Sequence, residues 1–170
     1  MFAVGDYVVK SNEGVCRIEE RVSMRAFDNV ERPYFLLRPV ADPRIKVYLP
    51  EQEEYRDVRL VMTEEEAFSL IGRMPGICCT AIENDKMREQ VYKEALRSND
   101  PERLVGIIKS LYYRCEERKS AGKKVTVMDE RCFKAAEHAL YSELAFTLKK
   151  EIGEVRELIA KTAESLKEST

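Results

Sequence analysis

The chain has 170 residues, enough for one ordinary domain or two small ones. Hydrophobic residues make up 44%, enough for a real core, and 35% of residues are charged, which predicts a well-solvated surface. The net charge of −2 excludes a global basic signature for nucleic acid, so any such contact must come from local patches.

The start, MFAVGDYVV, has no basic residue and carries Asp6 early, so no signal peptide is expected. No apolar run approaches the roughly 18 residues needed to span a bilayer, and the expected location is the cytoplasm, with no membrane partner. From there to about residue 60, runs rich in Val, Tyr, Phe and Ile alternate with turn chemistry. Strands are predicted at Tyr7–Lys10, Val15–Arg25, Tyr34–Val40, Ile45–Leu49 and Val58–Leu60. The turns between them are Ser11-Asn12-Glu13-Gly14, Asp28-Asn29 and Ala41-Asp42-Pro43. Five short strands in so short a stretch are expected to curl into a small barrel, which removes most exposed edges.

Near residue 60 the hydrophobic period changes from two to 3.6. Thr63-Glu64-Glu65-Glu66 matches a capping box ahead of Ala67, Phe68, Leu70 and Ile71, and Pro75-Gly76 ends that helix. A second helix is predicted from about Glu83 to Arg97. A third opens at Asp100-Pro101, with Leu104, Ile107, Ile108, Leu111, Tyr112 and Cys115 on its inner face. After the loop Ser120-Ala121-Gly122-Lys123-Lys124, a fourth helix spans Asp129 to Lys149. A final amphipathic helix carries Val155, Leu158, Ile159, Thr162 and Leu166. The predicted fold class is α+β, with a β module over residues 1–60 and a helical bundle over residues 61–170.

Catalytic chemistry is sparse. His138 is the sole histidine and lies mid-helix, where a structural or surface role is expected. No glycine-rich phosphate loop is present. The carboxylate runs at 51–54 and 64–66 sit near expected helix starts, where they complement the helix dipole. An enzyme is not expected, nor is a cofactor. The five cysteines, Cys16, Cys78, Cys79, Cys115 and Cys132, form no C-x-x-C pair, which argues against a disulfide framework and against a metal site. They read as reduced, partly buried small hydrophobes.

Basic residues carry more information. Lys86, Gln90, Lys93 and Arg97 recur at steps of four, three and four, which puts them on one helix face. Arg114, Arg118, Lys119, Lys123, Lys124, Arg131 and Lys134 form a second group around the next loop. A solvated face accounts for the first group, and complementation of a helix C-terminus for the second. Together they also suit a phosphate backbone.

Several segments, in order along nearly the whole chain, resemble the CarD/CdnL family of bacterial RNA-polymerase-binding transcription regulators. They are Val4-Gly5-Asp6-Tyr7-Val8-Val9, Glu13-Gly14-Val15-Cys16-Arg17-Ile18, Tyr34-Phe35-Leu36-Leu37 and Val47-Tyr48-Leu49-Pro50. In the second half, Tyr92 through Pro101 and Ser142-Glu143-Leu144-Ala145 match as well. The resemblance implies a small Tudor-like barrel that docks on the polymerase β subunit, partly strand to strand. Arg25 and Tyr48 match family contact positions, although Tyr48 stands where some relatives have arginine. It further implies that the helical half contacts promoter DNA and stabilises the open complex. Phosphate contacts would come from Lys86, Arg88, Lys93, Arg97, Lys123, Lys124 and Arg131. Many relatives insert a tryptophan into the minor groove, and this chain has none. The wedge position falls on Ala81 or Asp85 depending on alignment, with Ile82 as a smaller apolar substitute. Two alternatives stay open: a polymerase-binding adaptor without wedge activity, and an interaction module for another partner. A monomer is expected, with pairing through an open barrel edge as the alternative.

Overall fold

The computed structural model describes residues 1–52 and 54–168. The chain divides into two compact units, Met1–Val61 and Met62–Thr170.

The first unit is one antiparallel sheet of β1 (Tyr7–Lys10), β2 (Gly14–Arg25), β3 (Glu31–Pro39), β4 (Val47–Pro50) and β5 (Val58–Leu60). Their order across the sheet is β4-β3-β2-β1-β5. The first hairpin turns tightly because Asn12 and Gly14 both take left-handed backbone, at φ 71° and 74°. In the second, Asn29 is left-handed at φ 58°, and the Asp28 carboxylate accepts the Val30 N–H at 3.2 Å. That bond, aided by Arg32, holds the Asp28 carboxyl below its ordinary range.

Pairing sorts the side chains. Ile18 stands opposite Leu37 and Leu49 opposite Phe35, so all four point into one core with Val8, Cys16 and Val58. The end strands β4 and β5 both contribute to that core through Leu49 and Val58. They do not pair with each other, so the expected barrel is not closed by a ladder. The two end strands have only four and three residues, and the sheet keeps two short edges.

The second unit is helical: α1 (Glu64–Arg73), α2 (Arg88–Ser98), α3 (Pro101–Ser120), α4 (Val127–Leu148) and α5 (Ile152–Glu168). Thr63 and Glu66 form the expected capping box on α1. Asp100 caps α3 through the Glu102 and Arg103 N–H groups, with Pro101 in the first turn. Helix α4 begins two residues before the predicted start, because Thr126 caps it by accepting the Asp129 N–H at 3.1 Å. Helix α2 begins later than predicted. Asn84 caps a short 3₁₀ turn at Asp85–Met87 first, and α2 starts only at Arg88.

Leu70, Tyr92, Leu104, Ile107, Leu111, Leu140, Leu144 and Val155 are among the residues that build the helical core. Tyr112, predicted to face inward, is exposed, while Val105 and Gly106 are buried. The inner face of α3 is thus rotated toward 104–107 by its contact with the segment before α2. Glu143, also buried, accepts the Met62 N–H at 2.9 Å, and Thr147 donates to the Met62 carbonyl at 3.1 Å. These two bonds fix the entry to α1 on α4.

Candidate functional site

In the sheet unit the two predicted contact residues lie at different places. Tyr48 is on β4, the end strand, with its side chain exposed. It pairs opposite Leu36 on β3, and no strand covers the outer side of β4 among the described residues. Arg25 closes β2, opposite Glu31, to which it is bonded at 3.3 Å. Side chains alternate along β3, so residues paired with 31 and with 36 belong to opposite faces of the sheet. Arg25 and Tyr48 therefore lie on opposite faces, with β3 between their strands, and do not form one patch on the face of the sheet. Beyond Arg25 the hairpin tip carries Phe27, fully exposed, with Met24 and Val30 partly so.

In the helical unit the predicted wedge segment is held against α3. Lys109 donates to the carbonyls of Pro75 at 3.0 Å and Ile77 at 2.6 Å. Ser110 donates to the Thr80 carbonyl at 3.1 Å, and the Thr80 N–H donates to the Gly106 carbonyl at 3.3 Å. Gly106 permits this close approach. A Cβ there would sit 3.0 Å from Thr80 Oγ1 and 3.1 Å from the Cys78 carbonyl. Ala81 is exposed, Ile82 is half-buried against the core, and Asp85 is exposed at the 3₁₀ turn.

The predicted cations meet the acids Asp85, Glu89 and Asp129. Arg88 is buried. Its Nη2 lies 3.5 Å from Oδ1 of Asp129, a carboxylate with no solvent exposure. Asp129 Oδ2 accepts Arg114 Nε at 3.0 Å. Oδ1 of the exposed Asp85 lies 3.4 Å from Arg88 Nη1 and 3.8 Å from Arg114 Nη1. Two guanidinium groups are thus bracketed by one deep and one surface carboxylate. Tyr92 packs nearby; burial and then the Asp129 charge push its phenol above the ordinary value.

A second cluster joins the two basic groups of the sequence. Glu89 takes Lys93 at 2.9 Å and Arg131 at 3.5 Å, linking α2 to α4. The Lys93 hydrogen bond, with help from the Arg131 charge, lowers the Glu89 carboxyl below its ordinary range. Lys86 is exposed beside Asp85, Arg97 is exposed at the end of α2, and Lys123 and Lys124 are exposed in the α3–α4 turn. Lys86, Lys123 and Lys124 have no ion-pair partner among the described residues. The cationic surface is real but partly neutralised. Arg88 is not a free surface cation, and Arg114 is the basic residue at this place that the DNA-contact set left out.

The remaining chemistry is simple. His138 is exposed, with the Ser142 hydroxyl 3.4 Å from Nδ1. Among the described residues no group of three or more His, Cys, Asp or Glu side chains is placed to hold a metal ion. No helix of the described residues is long and apolar enough to cross a membrane. Cys78 and Cys79 are exposed, against expectation, whereas Cys16 and Cys132 are buried. Burial, and then Glu13, pushes the Cys16 thiol up to about 11. In a native thiol titration near neutral pH, Cys78 and Cys79 should react first, and Cys16 only after unfolding. A fast reaction at Cys16, located by mass spectrometry, would contradict the buried β1–β2 core.

The buried acid Asp129 was legible only as a helix-start residue, three positions after a threonine cap. Its partners come from other helices. No family model matches this chain, and no curated protein matches it.

Proposed function

We propose that this protein docks on the β subunit of bacterial RNA polymerase through a Tudor-like N-terminal module and stabilises the promoter open complex through DNA contacts made by its helical unit. The observation that carries the docking half is the outer side of β4. It is short, unpaired within the sheet and flanked by exposed Tyr48, the arrangement on which an extended partner strand adds main-chain hydrogen bonds. The ordered resemblance along both halves supplies the identity of the partner. Cations from α2, α3 and α4 that gather around Glu89 and Asp85 support phosphate contact.

A second reading, the adaptor without DNA wedge activity, is favoured by the wedge segment itself. Ile82 is packed against the core, Ala81 has only a methyl group, and Asp85 is an anion. No aromatic side chain stands at any of the three positions, and the one branched apolar side chain, Ile82, is partly buried.

Open-complex lifetime on a promoter, measured with and without the protein across a salt series, separates these readings. The expected result is a longer lifetime that is lost in Arg25→Glu and also in the double reversal Lys86→Glu, Lys93→Glu. An unchanged lifetime with Arg25-dependent capture of polymerase would establish the adaptor. Failure to capture polymerase at all would leave a module for some other partner.

A further inference from the structure

We propose that Arg88 and Arg114 form an oxyanion site that Asp85 occupies in the free protein, and that a phosphate group takes this place by displacing the Asp85 carboxylate. The argument begins with charge. Two guanidinium groups face a single fully buried carboxylate, Asp129, so one positive charge is left over toward the surface. Among the described residues that charge is met by Asp85, whose side chain is 77% exposed.

The contact is a loose one. A single oxygen, Asp85 Oδ1, lies 3.4 Å and 3.8 Å from the two guanidinium groups. Charge-assisted bonds of this kind close to roughly 2.7–2.9 Å when well made. On the buried side Arg114 Nε is bonded to Asp129 at 3.0 Å, whereas Arg88 Nη2 stands 3.5 Å from the same carboxylate. Arg88 Nε is buried with no hydrogen-bond partner among the described residues, as is Asp129 Oδ1. Arg114 is therefore held from the buried side, and the hydrogen-bonding capacity of both guanidinium groups is under-used by their present surface partner.

The position of Oδ1 is reachable from solvent, since an exposed side chain reaches it. A tetrahedral oxyanion centred there presents several acceptors where Asp85 presents one. Lys86, next along the 3₁₀ turn, is exposed and has no ion-pair partner among the described residues. Paired arginines favour phosphate over a simple carboxylate because each planar fork can engage two oxygens. Asp85 thus acts as a removable plug, and phosphate binding requires only that its exposed side chain rotate away from the guanidinium groups. The identification of the phosphate with a nucleic-acid phosphodiester rests on the proposed function; the oxyanion site itself does not.

The test uses the full chain and two probes, inorganic phosphate and a short DNA duplex. Asp85→Asn removes the charge of the plug, and Glu83→Gln, an exposed carboxylate two residues earlier, makes the same change in net charge. Phosphate is titrated at constant ionic strength while the Arg114 Nε–Hε resonance is followed; duplex affinity is measured across a salt series. Asp85→Asn should shift the resonance at severalfold lower phosphate than the wild type. It should also bind duplex about tenfold more tightly, with a salt slope steeper by about 0.9, the value for one added phosphate contact. Glu83→Gln should do neither, and adding Arg114→Lys to Asp85→Asn should abolish the gain while keeping the charge and the fold. A response to phosphate without any response to duplex would support the site and count against the DNA reading. Equal gains from Asp85→Asn and Glu83→Gln, or no resonance shift with phosphate in Asp85→Asn, would overturn the proposal.

Discussion

Asp129→Ala should destabilise the helical unit by about 3–5 kcal/mol, the usual cost of removing one partner from a buried ion pair. The carboxylate has no solvent exposure and serves two arginines from two other helices. Without it, Arg88 is left in the interior with only the loosely placed Asp85 to offset its charge. Arg114 loses its 3.0 Å bond, and α4 loses an acid from its first turn. Asp129→Asn should cost less, because an amide oxygen still accepts from Arg114 Nε. Urea unfolding followed by helical circular dichroism measures both. A loss below about 1 kcal/mol for Asp129→Ala would put the pair in the class of exposed salt bridges and remove it as the centre of the unit.

Two glycines on helices should respond differently to an added side chain. Gly72 on α1 has nothing within 4 Å of an added Cβ, so Gly72→Ala should stabilise by up to about 1 kcal/mol through helix propensity. Gly106 on α3 has the Cys78 carbonyl at 3.1 Å and Thr80 Oγ1 at 3.0 Å from the same point. Gly106→Ala should gain nothing, and Gly106→Val should cost about 2–3 kcal/mol by overpacking. The backbone must also separate there, breaking the Thr80 N–H bond to Gly106. Amide exchange at Thr80 should then accelerate in Gly106→Val and stay slow in Gly72→Ala. Stabilisation by both alanines would mean that the segment before α2 is not held as tightly as these distances require.

The gap between these two glycines marks what the sequence can convey. Local chemistry was legible: the Thr63–Glu66 box, the Asp100-Pro101 start of α3 and the turn at Asn12 all appear where their residue types require them. Each depends on partners within a few residues. Gly106, Asp129 and Glu143 were not legible as key positions, because their partners are distant in the chain. Tyr112 was misassigned for the same reason. Apolar spacing on α3 fits two adjacent faces, and only contact with Cys78 and Thr80 selects the one containing Gly106. In the sheet, the number and order of strands followed from turn chemistry and alternation, although β3 begins at Glu31 where Tyr34 was expected and β4 at Val47 where Ile45 was expected. Closure depends on whether the two end strands meet, and β4 and β5 do not. For the candidate site, the cations were found by type and spacing. Their neutralisation by Asp85, Glu89 and Asp129 is a property of helix packing.

The shortness of β4 bears on how the protein behaves when it is concentrated or newly made. An open strand edge is a template for self-association, and proteins restrain it by length, charge and proline. Here the edge has four residues, ends in Pro50 and follows Lys46. A ladder between two copies would contain few main-chain bonds. Growth of such pairs into stacked aggregates is therefore expected to be poor, even though the edge is never covered by a strand of its own sheet. Substituting Pro50 with a β-branched residue, or lengthening β4, would trade that restraint for stickiness.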